Sequence, residues 1–254
     1  MSDYNRNVAA RGGFADRAAI DAGLRAYMLR VYNYMAAAVG LTGVVALLCF
    51  QAAGGDAITA SGGAITGLTE FGRFILGGYT PIVLMLGTLG LVFFISFRIN
   101  TLQYTTALGL FMLYAGLLGA ALTSIFVAYT GASITRVFFI SAASFGALSL
   151  WGYTTQRNLS AMGSFMIMGL FGIIIASVVN LFLKSSGLDW AISVIGVGVF
   201  AGLTAYDTQR IKEMYDVNDD GTVAGRKAVM GALSLYLDFI NLFLMLLRLV
   251  GDRR

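Results

Sequence analysis

Two carboxylates, Asp207 and Asp238, lie inside stretches apolar enough to cross a bilayer: AISVIGVGVFAGLTAYDTQ (191–209) and VMGALSLYLDFINLFLMLL (229–247). The chain has 13 acidic residues, and all the others fall in tails, loops or segment borders. A charge at the centre of a membrane helix costs at least ~3 kcal/mol on insertion scales, so such a residue marks a functional site by default. The chemistry open to this pair is proton binding and cation handling. Two close carboxylates cannot both ionise cheaply, so they share a proton. Arg98, at the end of the second apolar run, would compete by pairing with one of them. Alternation between Arg–Asp and Asp–Asp pairing is a physically sensible pH gate. The other reading is a static polar network that fixes helix register. The same two acids are the candidate ligands of a transient calcium ion.

The rest of the composition narrows the options. There is no histidine, which excludes His-based catalysis, His metal ligation and the usual side chain for sensing pH near neutral. Cys49 is the single cysteine, so no intrachain disulfide forms; it reads as a packing residue. The chain is 58% hydrophobic and 12% charged, against about 25% charged in soluble domains. It therefore reads as an all-α integral membrane protein, because the apolar runs are long and do not alternate as barrel strands do. With 32 glycines and one proline, Pro81, close helix–helix approach is favoured. The net charge of +4 reads as membrane topology and not as nucleic-acid binding. No tightly bound cofactor is expected.

Seven spans are long enough for ~20 helical residues each, at roughly 31–51, 79–97, 103–127, 134–153, 161–183, 190–209 and 228–249. Residues 1–30 form a polar, Arg-rich tail without the pattern of a cleaved signal peptide. Within it, 16–30 read as a short amphipathic helix on the membrane surface, with Ile20, Leu24, Tyr27 and Met28 on one side. Residues 31–254 are the seven-helix domain. GGDAITASGGAITGLTEFGR (54–73) reads as an external loop.

Basic residues set the orientation. With the N-terminus inside, the inner side holds Arg6, Arg11, Arg17, Arg25, Arg30, Arg98, Arg157, Arg210, Lys212, Arg226 and Lys227. The outer side holds Arg73, Arg136, Lys184, Arg248, Arg253 and Arg254. The N-terminus is thus expected in the cytoplasm and the C-terminus outside, with a re-entrant last segment as the alternative. In this frame Arg98, Asp207 and Asp238 all fall in the cytoplasmic half, Asp207 shallower than Asp238. Ser234, Asp238 and Asn241 follow i, i+4, i+7 spacing and share one face; Thr204, Asp207 and Thr208 are grouped on the preceding span. These residues are the expected polar lining of a cytoplasm-facing cavity.

GALSLYLDFINLFLMLLRLVGDRR (231–254) together with AYDTQRI (205–211) closely resembles the Bax inhibitor family. GYTTQRNLS (152–160) and the Arg-terminated second span followed by LQYTTALGLFMLYAGLLGA fit the same family. The resemblance covers essentially everything beyond the tail. It implies a seven-helix bundle with the C-terminal helix central and six packed around it. It implies a pH-sensitive calcium leak governed by a di-aspartyl sensor, matched by Asp207 and Asp238, with Arg98 as the latch. The short loops and the lack of a retention signal suggest a bacterial inner membrane, with an organelle as the alternative; the second role left open is a non-transporting regulator bound to a membrane-bound ATP-dependent protease or another membrane partner. The chain departs from some relatives in having no acid within 82–97, so no calcium role transfers there.

Other signals are weaker. Paired aspartates also serve intramembrane proteases, but LYLD lacks the glycines of GxGD and the only proline is Pro81, so an enzyme is not expected. DVNDDGTV (216–223) matches the start of an EF-hand loop, yet position twelve is Lys227 where calcium needs a bidentate Glu; it reads as a polar turn. GVFAG (198–202) reads as close packing. Met162, Met166 and Met168 read as apolar filling.

Overall fold

Long apolar runs free of proline leave the chain one way to satisfy its backbone in hydrocarbon, which is the helix. The computed structural model describes the backbone of residues 2–61 and 64–254, and the side chains of 20–58 and 66–254. Its helices are α1 (Ser2–Ala53), α2 (Glu70–Leu76), α3 (Thr80–Arg98), α4 (Tyr104–Ala121), α5 (Thr123–Ala128), α6 (Gly131–Thr154), α7 (Ser160–Leu183), α8 (Ser186–Glu213) and α9 (Gly221–Val250). Seven segments among the described residues are long and apolar enough to cross a membrane. The expected third span is α4 followed by the short α5, interrupted at Leu122.

α9 is the core of the bundle. Leu233, Leu235, Tyr236, Leu242 and Leu247 are almost fully buried, and the helix packs against α8, α1, α6 and α4. The expectation of six helices around it needs adjusting: α3 packs mainly on α4, and α7 on α8, so both form an outer layer. These outer helices expose large apolar residues, such as Phe97 at 80% and Phe182 at 83%, a surface that suits lipid and not water. Tyr236 anchors α9 through hydrogen bonding. Thr42 Oγ1 donates to the carbonyls of Ala38 and Ala115, both at 2.9 Å. Its proton being so committed, the Tyr236 hydroxyl donates to Thr42 Oγ1 at 2.6 Å. The ring packs edge-on against Phe111 and Tyr114.

Two expectations for the N-terminal half change. No break separates a surface helix from the first span, because α1 is continuous from Ser2. Tyr27 and Met28 are buried in the core cluster while Ile20 is exposed, and the Tyr27 ring lies 5.7 Å from Tyr215 on the α8–α9 turn. This segment therefore docks onto the bundle. The side chains of Arg6, Arg11 and Arg17 lie outside the described residues. The loop after α1 carries a small antiparallel pair, β1 (Thr59–Ser61) and β2 (Ala64–Thr66), with Thr59 opposite Thr66. Its exit is α2, whose N-cap Thr69 accepts from Gly72 N.

The C-terminal tail closes the end of the bundle opposite the α8–α9 turn. Arg254 N donates to Ala128 O, and Thr130 N to Asp252 O. Asp252 pairs with Arg136 at 2.7 Å, and Arg254 reaches Asp56 at 3.1 Å. α9 is thus one uninterrupted helix, and the tail after it reaches Asp56, ahead of the hairpin.

Candidate functional site

Asp207 sits two turns before the end of α8, and Asp238 just past the middle of α9. These two helices make the most extensive contact in the bundle. Small residues let them and their neighbours approach. A Cβ at Gly152 of α6 would collide with the Ala205 backbone, and one at Gly163 of α7 with the Tyr206 ring. The α8 segment around Asp207 is therefore clamped from two sides. Gly231 does the same for α9, resting against Ile211.

Both aspartates line one cavity of about 300 Å³. Phe200, Leu203, Tyr206 and Arg210 of α8 form one wall, and Ser234, Leu237 and Asn241 of α9 the other; Ile167 and Leu170 of α7 close the side. At ~1.5 Å per residue the α8 wall runs ~15 Å along the helix, which reconciles the unequal depths of the two acids. Asp238 is 5% exposed. Its Oδ2 is buried and has no hydrogen-bond partner among the described residues. An ionised carboxylate left so is expensive. Asn241 Nδ2 donates to Leu237 O at 2.8 Å, which leaves its carbonyl oxygen free. The site can therefore bind protons and offer oxygen ligands to a passing cation. Among the described residues there is no group of three or more His, Cys, Asp or Glu able to hold a metal.

Ser234 and Asn241 join the aspartates as their spacing predicts; Thr204 and Thr208 do not. Both threonines are fully buried on another face of α8. Thr208 Oγ1 donates to Thr204 O at 2.8 Å, so Ser149 of α6 donates to Thr208 Oγ1 at 2.9 Å. Tyr32 of α1 then donates to Ser149 Oγ at 2.6 Å. Arg98 is exposed at the end of α3, makes no ion pair among the described residues, and is absent from the cavity. The cation that lines it is Arg210. In the sequence Arg210 stands out only as a topology charge, although i, i+3 spacing from Asp207 puts both on one helix face.

The EF-hand-like turn is occupied by its own contacts. Asp220 caps α9 by accepting from Thr222 N and Val223 N. Asp219 pairs with Lys227 at 2.5 Å. Asp216 accepts from the backbone and side chain of Asn218, which hold its carboxyl below the usual range.

Residues 24–254 match the protein-family model described as inhibitor of apoptosis-promoting Bax1. The chain belongs to the Bax inhibitor family. It is 46% identical to the inner membrane protein YbhL of Escherichia coli, over 92% of this chain and 94% of the relative. An uncharacterised protein of Rickettsia prowazekii is 47% identical, with both chains fully covered. One from Caulobacter vibrioides is 41% identical, again over the whole of both. This Bax inhibitor family member is an integral membrane protein with seven apolar helices, and its aspartate cavity lies within the matched region.

Proposed function

We propose that this protein is a pH-sensitive cation leak in a bacterial inner membrane, with calcium as the permeating ion. The gate is the Asp207–Asp238 pair, and the latching arginine is Arg210 in place of Arg98. One observation carries the reading: Asp238 is buried, with a carboxylate oxygen that has no hydrogen-bond partner among the described residues, in the cavity that Asp207 also lines. Two carboxylates in that volume repel when both are ionised, and one bound proton removes the repulsion. Arg210 stabilises the ionised form of whichever acid it approaches. Ionised, the pair with Ser234 and Asn241 supplies oxygens to a hard cation. These are too few to replace a full shell of six to eight, which suits an ion in transit. The inner-membrane location rests on the similarity to the Escherichia coli inner membrane protein YbhL, and the cytoplasmic N-terminus on the distribution of basic residues.

The test is calcium flux into liposomes across pH 5–8 for the wild type, Asp207→Asn and Asp238→Asn. Each substitution flattens the pH dependence. A curve of unchanged shape in both variants removes the pair from gating. Purified protein that passes no calcium at any pH overturns the leak. The role of a regulator bound to a membrane-bound ATP-dependent protease then gains.

A further inference from the structure

A second concavity, on the outside of the bundle, is independent of the aspartate cavity. A groove of about 660 Å³ runs between α1 and α6. Arg25, Met28 and Leu29 form its α1 wall, and Phe145, Leu150 and Tyr153 its α6 wall. Its floor is the Tyr32–Ser149 hydrogen bond. Gly146 also lines it, and a Cβ built there meets no atom within 4 Å, so the space is real and reachable from that position.

The groove has two different ends. Arg25 stands six residues before the apolar run begins at Val31, ~9 Å along the helix, which places it at headgroup depth beside Tyr153 near the end of α6. It is exposed. Among the described residues no acid lies within the 4.0 Å of an ion pair, Asp21 one turn earlier included. Lys212 does not line the groove, but it backs the α6 wall: its Nζ donates to Tyr153 O at 2.9 Å and lies 5.2 Å from the Tyr153 ring centroid. Among the described residues, no acid lines the groove. A basic rim above apolar walls complements one amphiphile, an anion on an acyl chain, and basic pockets between membrane helices bind anionic headgroups.

We propose that the α1–α6 groove is a binding site for one anionic phospholipid. Its phosphate sits at Arg25, in the field of Lys212, and an acyl chain lies along Met28, Leu29 and Phe145 over Gly146. The hydroxyl of Tyr32 at the floor links the bound lipid, through Ser149, to Thr208 beside Asp207.

Native mass spectrometry of the detergent-purified protein tests this, titrating phosphatidylglycerol against phosphatidylcholine of the same chains. The first phosphatidylglycerol binds about five- to tenfold more tightly than phosphatidylcholine, as about 1 kcal/mol per basic residue at the surface implies. Arg25→Gln brings the two lipids close to parity. Gly146→Phe fills the groove and removes the first site for both, with Gly146→Leu as the milder substitute should the first not fold. Equal affinity for the two lipids in the wild type overturns the proposal, as does first-site binding unchanged in both the Arg25 and Gly146 variants. Displacement of the lipid by millimolar inorganic phosphate alone, or a dimer mass that excludes lipid, also overturns it.

Discussion

Asp238 and Tyr236 lie two residues apart on one helix and show opposite solutions to burying a polar group. Tyr236 donates to Thr42, whose own proton goes to carbonyls. Tyr236→Phe removes one satisfied bond and leaves Thr42 satisfied, so the cost is about 1 kcal/mol. It is read as a lowered melting temperature in detergent, with calcium flux unchanged. Asp238 keeps an oxygen without a hydrogen-bond partner among the described residues, so its substitution by Asn is expected to alter the flux–pH curve more than the melting temperature. The arginines are separable in the same way. Arg210→Gln withdraws a positive charge from the cavity wall, so protons bind more readily. The midpoint of the flux–pH curve then moves to higher pH. Arg98→Gln leaves the midpoint in place; a shift with Arg98 and none with Arg210 reverses the assignment. The two acids were legible in the sequence because a charge inside an apolar run stands out without a structure. The choice between Arg98 and Arg210 was not, because both sit at span ends and only packing decides which one lines the cavity. Thr204 and Thr208 show the same limit: grouping with Asp207 in sequence did not place them on its face.

Helix packing around α8 depends on two notches. Gly152→Leu forces its side chain against the Ala205 backbone, an overpacking that costs about 1–3 kcal/mol and opens the α6–α8 contact. The check is a lower melting temperature together with a displaced pH response, since Asp207 lies two residues from Ala205. The α8–α9 turn behaves differently. Asp216 lies outside the spans, and its carboxyl is held below the ordinary range by Asn218. A depressed folded value means that its contribution is fully present above ~4, the unfolded value, and is lost only as pH falls through the folded one. Asp216→Asn therefore leaves the flux–pH curve unchanged between pH 5 and 8; a flattened curve would move the sensor from the cavity to the turn. Span number, order and approximate ends were readable from run length and basic borders. The hairpin and α2 were not, because Gly, Ser and Thr mark a loop without saying how it folds. The continuity of α1 was also hidden, because its first turns are too polar to announce a membrane helix.

At the scale of the molecule, the two ends of α9 belong to opposite ends of the bundle: the Asp219–Lys227 turn at one and the Arg254–Asp56 contact at the other. In a Cys49→Ala background, Asp219→Cys and Arg254→Cys are labelled by a membrane-impermeant thiol reagent from opposite sides, Asp219→Cys from the cytoplasm. Labelling of both from one side contradicts a seven-span path. The outer position of α3 and α7 was beyond sequence reading, since apolar composition does not distinguish a helix facing lipid from one facing protein. A last consequence belongs to the hydroxyls that cross the bundle from Tyr32 through Ser149 to Thr208. Their donors all point the same way, and the last proton is spent on the Thr204 carbonyl. A carbonyl has no proton to hand on, so this row is a dead end for Grotthuss hopping. Under the proposed gating, proton exchange with Asp238 therefore runs through the cavity that Arg210 also lines, and not along this row.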